Sequence, residues 1–336
     1  MRINIEEIRD LCRNEQQFPA EMISKIISSN WLNIWVPEKF GGLNLNLTDG
    51  LYFLKNLAQA DGSLGWMVTL CSGANYFVRN LDPSAAEKCF SIKSFFGGSG
   101  MIGGTAEQTD DGFVLSGKWK YATGAPYLTH FTMNARITKN GEHLINSEGE
   151  NLFKSFIVPA ADVKIIEDWH TMGMKATATH SFEIEQVLVP AEQTFTYNHF
   201  YGDEILDRIP FLTFADLTLA VNFLGMALHL SEAFGEESQF GENFTKKILV
   251  LEQQIFDICE DVQKHLQHNL VIEDRKADEI HQQCSNIVQD ITVATAAAYT
   301  KLGIKVCRED SEYNRVFRDF FTATQHSHFR VELDVK

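Results

Sequence analysis

Three places in this chain hold residue types that could do chemistry. Residues 112–124, GFVLSGKWKYATG, set Trp119, Tyr121 and Thr123 at alternate positions, so a strand there would put two aromatic surfaces and a hydroxyl on one face. Residues 315–328 carry Arg315, Arg318 and Asp319, and then His326 and His328; an imidazole can hold or move a proton near neutral pH. Glycines gather at 97, 98, 100, 103 and 104, where a backbone without Cβ permits close approach. Each group also has a plain structural reading. Tyr121 suits a core aromatic, Thr123 a strand-end residue, the glycines a loop, and His326 a polar residue at a helix end. No spacing marks a metal site. His265 and His268 lie one helical turn apart without a further clustered ligand and read as a solvated helix face. The six cysteines form no CxxC pair and read as reduced, mostly buried thiols.

The elements that must position these residues follow from local pattern. Residues 1–92 read as helical. Residues 3–12 and 20–29 are amphipathic, Gly41-Gly42 marks a loop, Thr48-Asp49 and Ser63 can cap helices, and Pro83 suits a first helical turn. Residues 93–205 read as strands. Phe113 and Leu115 alternate with Val114 and Ser116, Ser116-Gly117 can turn the chain, and 119–123 returns. Further alternating segments lie at 131–137, 153–158 and 182–189, with Pro190 ending the last. Their spacing predicts a compact barrel or sandwich. Residues 206–336 read as helical again. Ile248, Leu251, Ile255, Ile258, Val262 and Leu266 keep three-four spacing, as do Ile280, Cys284, Ile287, Ile291, Ala294, Ala298 and Leu302. With 211–234 and 315–326 beside them, a four-helix bundle is expected.

Taken in order, these stretches resemble the acyl-CoA dehydrogenase superfamily, including its flavin-dependent monooxygenase branch. WVPEKFGGL at 35–43 resembles the family's "vPeeyGGl" turn, and Ser63, Gly65 and Trp66 resemble its "dgSlgw" helix start. GFVLSGKWKYATG resembles the "gy.lnG.K.fitna" strand pair. Gly173, Thr177 and Thr179 with 187–190 resemble "lG.r.t.s....f..v.VP", and Arg315 to Asp319 resembles "eR..RD". The landmarks cover about 35–326. The resemblance implies an α+β chain with a helical N-terminal domain (1–92), a central β-barrel (93–205) and a C-terminal four-helix bundle (206–336). It implies a flavin, FAD or FMN, between barrel and bundle, with Tyr121 on the ring, the Thr123 hydroxyl at N5, the backbone of Gly98, Gly100 and Met101 close by, and Trp169 flanking. It also implies a dimer or tetramer.

Departures from the pattern narrow the activity. Dehydrogenases of this family carry a glutamate base; here no glutamate-glycine pair follows Arg318-Asp319, and the helical alternative falls on Ala215, with Asp216 beside it. The tail instead resembles the monooxygenase branch, where a histidine follows "RD" by some seven residues, as His326 follows Asp319. Those enzymes take reduced flavin from a separate reductase and use oxygen to hydroxylate a small aromatic or related substrate. Thr123 and His326 are then the catalytic pair, and Arg318-Asp319 a helix-interface ion pair. Glu237 stands where the family's "R.qFG" arginine holds the FAD pyrophosphate, which leaves FAD, FMN and a lost flavin all open. A dehydrogenase with a displaced base and a ligand-binding or scaffold protein of the same fold are the alternatives.

Composition sets outer bounds. A chain of 336 residues can hold two or three domains, and its 44% hydrophobic and 22% charged content is ordinary for a soluble globular protein. The formal charge of −16 disfavours nucleic-acid binding, which needs a basic surface. The apolar runs read as too short for a membrane span and the N-terminus as unlike a signal, so a cytoplasmic location is expected.

Overall fold

The structure, a computed structural model, describes residues 3–13, 16–146, 149–235 and 237–330. Five helices come first: α1 (Ile5–Leu11), α2 (Ala20–Ser28), α3 (Leu47–Ala60), α4 (Gly62–Asn75) and α5 (Pro83–Cys89). Eight strands follow: β1 (Phe96–Thr109), β2 (Gly112–Ala122), β3 (His130–Lys139), β4 (Glu142–His143), β5 (Phe153–Pro159), β6 (Lys164–Ile166), β7 (His180–Val189) and β8 (Thr194–Phe195). Helices α6 (Phe211–Ser231), α7 (Gln239–Gln267), α8 (Asp274–Tyr299) and α9 (Glu312–Ala323) complete the fold.

The helix starts are set by side chains two residues before Thr48 and Ser63. Asn46 caps α3 by accepting from Asp49 N–H at 2.9 Å, and Asp61, not Ser63, caps α4 by accepting from Leu64 N–H at 2.9 Å. Pro83 opens α5 as expected. Helix α6 is apolar all round and therefore central, packed by α3, α4, α7, α8 and α9. By length and composition it is a helix that could cross a membrane, contrary to the sequence reading, but 83% of its most apolar window is buried inside the protein. It is the core helix.

The strands form one sheet in the order β6-β7-β2-β1-β3-β5-β8, with β4 beside β3. The expected barrel is not closed: β6 and β8, three and two residues long, end the sheet without pairing with each other. Two details of β2 also differ. The chain does not turn at Ser116-Gly117. It reverses at Asp110-Asp111, where Thr109 pairs with Gly112, and β2 then runs on through Gly117. Glycine is needed there for packing, since a Cβ would lie 2.4 Å from Gly104 Cα. Nor do Trp119, Tyr121 and Thr123 share a face. The β2–β7 register slips between Trp119 and Ala122, and Tyr121 takes a φ of 71°. This bulge turns Tyr121 outward, 55% exposed, while Trp119 stays in the core, stacked on Phe182 at 5.4 Å.

Candidate functional site

The bulge presents Tyr121 beside Trp169, ring edge to ring face at 6.3 Å. Trp169 is held in place by its own hydrogen bonds: its indole N–H donates to Met174 O at 2.8 Å, and its backbone N–H donates to His180 Nδ1 at 3.1 Å. Close by, β1 departs from its ladder with β3 between Ser99 and Ile102, which frees Gly100 and Met101 from pairing. Met101 is exposed and Gly100 faces open space. Gly98 has a different reason to be glycine, because a Cβ there would sit 1.8 Å from Thr132 O in the neighbouring strand.

Thr123 is buried under this surface and begins a chain of hydroxyls. Thr177 donates to Met174 O at 2.7 Å. Its single proton being used, it accepts from Thr179 at 2.7 Å, and Thr179 in turn accepts from Thr123 at 3.1 Å. The chain therefore has a direction. Thr123 spends its proton inward, and its oxygen is left as an acceptor.

On the other side of α4 lies the tail. Helix α9 stops at Ala323, three residues before His326, which is extended and opens a 3₁₀ turn, Ser327–Phe329. The His326 ring accepts from His328 N–H at 3.3 Å and stands edge-on to Trp66 of α4 at 5.4 Å. It borders a cavity of about 210 Å³ walled by Phe223, Val288, Thr292 and Phe329. Crowding by these neighbours, and then His328, hold the imidazole below its usual pKa, although one edge stays exposed. Thr123 and His326 are not bonded to each other. They are linked through α4, whose Cys71 thiol lies 3.5 Å from Thr123 O and whose Trp66 meets His326.

Arg318-Asp319 is not the ion pair the sequence suggested. The buried Asp319 carboxylate accepts from Met174 N–H at 2.5 Å and from the Ser63 hydroxyl at 3.1 Å. Arg318 donates to Asn314 Oδ1 and to Met172 O at 2.8 and 2.6 Å. Among the described residues, an ion pair forms here between Arg315 and Asp61, at 3.3 Å. Successive residues of α9 thus pin the loop that carries Trp169 and Met174. Burial, reinforced by Asp61, raises the Asp319 carboxyl to about 7 against the opposing pull of the Met174 N–H, Arg315 and Ser63.

The sequence reading missed one cluster. His281, which no motif singles out, and His328 both bond Asp216 Oδ1, at 2.7 and 2.6 Å. These residues stand 65 and 112 positions from Asp216, so no local spacing could have joined them.

Comparison with known proteins agrees with the motifs. Residues 2–81 match the family model described as acyl-CoA dehydrogenase, N-terminal domain. The chain is 28% identical to the indole-3-acetate monooxygenase of Acinetobacter baumannii over 214 residues, 63% of this chain and 52% of that one. It is 30% identical to the protein of the same name from Pseudomonas putida over 230 residues, 66% of this chain and 57% of that one. The aligned part thus spans only a little over half the length of these curated relatives. In fold it matches the HsaA monooxygenase of M. tuberculosis, with a TM-score of 0.88 at 17% identity over 97% of this chain and 91% of that one. XiaF from Streptomyces sp., solved with FADH2 and glycerol, matches with a TM-score of 0.85 at 18% identity over 97% and 90%. The chain has the acyl-CoA dehydrogenase-like fold, with helices at both ends of a large sheet. Its resemblance to the superfamily, and to the two-component flavin-dependent monooxygenases within it, is borne out.

Proposed function

We propose that this chain, similar to the acyl-CoA dehydrogenase superfamily and its two-component monooxygenases, is the oxygenase component of a flavin-dependent monooxygenase. It would receive reduced flavin, FAD or FMN, from a separate reductase and act on a small organic substrate. The observation that carries the reading is the acceptor oxygen of Thr123 under the Tyr121–Trp169 wall. A reduced flavin carries a proton on N5 and offers it as a donor, so an acceptor at that point favours the reduced ring over the oxidised one. The residues present fit the group. Tyr121 and Trp169 supply an aromatic wall with exposed surface, and Gly100 and Met101 lie at a bulge of β1 outside its ladder with β3.

When bound, the flavin supplies the oxygen-activating chemistry; the chain's own residues position and exclude. Asp319 and Arg318 hold the Trp169–Met174 loop on α9. Thr177 and Thr179 keep the Thr123 oxygen aimed as an acceptor. His326, on the wall of the cavity, is the group to meet a substrate: with Nδ1 accepting from His328 N–H, its neutral ring offers Nε2–H as a donor to a substrate oxygen. Exposed Leu249 and Val250 on α7 and Val293 on α8 support association with further copies, a dimer or tetramer. The three-domain division at 92 and 205, the four-helix bundle of α6–α9 and a cytoplasmic location complete the reading; the free state of all six cysteines is consistent with the last.

The test is an anaerobic titration with oxidised and reduced FAD and FMN, read by flavin fluorescence and absorbance. The reading expects saturable binding, tighter for the reduced forms. Absence of binding in both redox states would remove it.

A further inference from the structure

The Asp216 cluster plays no part in the proposed flavin chemistry, and its geometry raises a separate question. Three elements of the C-terminal region converge on one point: α6 brings Asp216, α8 brings His281, and the 3₁₀ turn after α9 brings His328. Asp216 is wholly buried. Its Oδ1 takes both imidazoles, while its Oδ2 is buried with no hydrogen-bond partner. A buried carboxylate oxygen left unpaired is costly and uncommon in folded proteins. The two rings lie nearly perpendicular, at 89° and 5.3 Å between centroids, and both stay partly open to solvent, with side chains 33% and 15% exposed. The three donor atoms lie within 4.8 Å of one another.

We propose that Asp216, His281 and His328 form a binding site for a divalent transition-metal ion of the zinc type. Two imidazole nitrogens and one carboxylate oxygen are the donors zinc takes, and three protein ligands leave a fourth position open. Calcium and magnesium, which require mostly oxygen ligands, fit poorly. The buried carboxylate offsets charge that the two neutral imidazoles do not, and its unpaired Oδ2 becomes a second oxygen that the cation can draw on. Phe329, stacked on His281 at 6.2 Å, shields one side, while the partly open histidines give the ion a way in. An ion here would tie the tail to α6 and α8, two residues beyond His326, and so fix the wall of the adjoining cavity.

The experiment is calorimetric titration of Zn²⁺ into the full chain after removal of metal with a chelator. One equivalent should bind with a micromolar or lower Kd. H281A and H328A should each lose at least tenfold in affinity, with folding checked by circular dichroism. A second hollow, of about 400 Å³, is lined by His265 and His268 and provides the control. Changing both of those to alanine should leave the tight equivalent intact. No saturable binding to the wild type, undiminished binding to both H281A and H328A, or loss of the tight equivalent in the His265/His268 double variant would each overturn the proposal. Because this readout involves no flavin, it stands or falls independently of the proposed function.

Discussion

The two sides of α4 are built by different means. On the sheet side, backbone does the placing: a register slip turns Tyr121 out, a break in the β1 ladder frees Gly100 and Met101, and the strands bury Trp119 beneath them. On the tail side, side chains do it. His326 rests on Trp66, and His328 reaches Asp216, across a short turn that has no ladder of its own. Position held by a sheet is shared among many hydrogen bonds, whereas position held by a few side chains can be lost with one of them. The sheet side should therefore be costly to break and the tail side cheap to break but sensitive in function.

The largest expected effect tests the first half of that contrast. Trp119→Ala removes a buried ring stacked on Phe182 and an indole N–H that donates to Asn134 O, and should cost about 3–5 kcal/mol in urea unfolding. Phe329→Ala on the half-buried tail should cost clearly less; equal losses would erase the distinction. Next comes the tie between the sides. Asp319→Ala leaves the Met174 N–H without its acceptor and should cost roughly 1–3 kcal/mol.

The same residue gives a pH signature. Because the Asp319 carboxyl is raised in the fold, from 3.8 to about 7, it holds its proton longer there than in the unfolded chain. Its favourable contribution is full below the ordinary carboxylate pKa and is lost as pH rises through the window up to about 7. The stability of the wild type relative to Asp319→Asn should fall across that window, and a flat difference would show the carboxyl to be ionised throughout. A subtler change is Thr177→Val. It removes the donor to Met174 O that sets the direction of the hydroxyl chain. The preference for reduced over oxidised flavin should shrink several-fold, with a stability loss of about 1 kcal/mol from the buried hydrogen bonds removed.

The contrast also explains what was legible in the sequence. The long helices α7 and α8 and strands β3, β5 and β7 follow from periodicity because each buries one face against a continuous core. Ser116-Gly117 reads as a turn in the sequence, but Gly117 is glycine for close packing on Gly104; the reversal lies at Asp110-Asp111, with Gly112 already paired to Thr109. Tyr121 leaves the face that alternation predicts for it because a bulge breaks the period of two. The Asp216–His281–His328 cluster left no trace in local spacing; it exists only once α6, α8 and the tail have packed together.

The most direct measurement of the central claim is the dissociation constant for reduced FAD in the wild type, Tyr121→Ala and His326→Ala. The wild type should bind saturably. Tyr121→Ala should lose up to about tenfold, in keeping with one lost aromatic contact of ~1 kcal/mol, and His326→Ala should be unchanged. Absence of binding by the wild type, or a loss in His326→Ala with none in Tyr121→Ala, would contradict that claim.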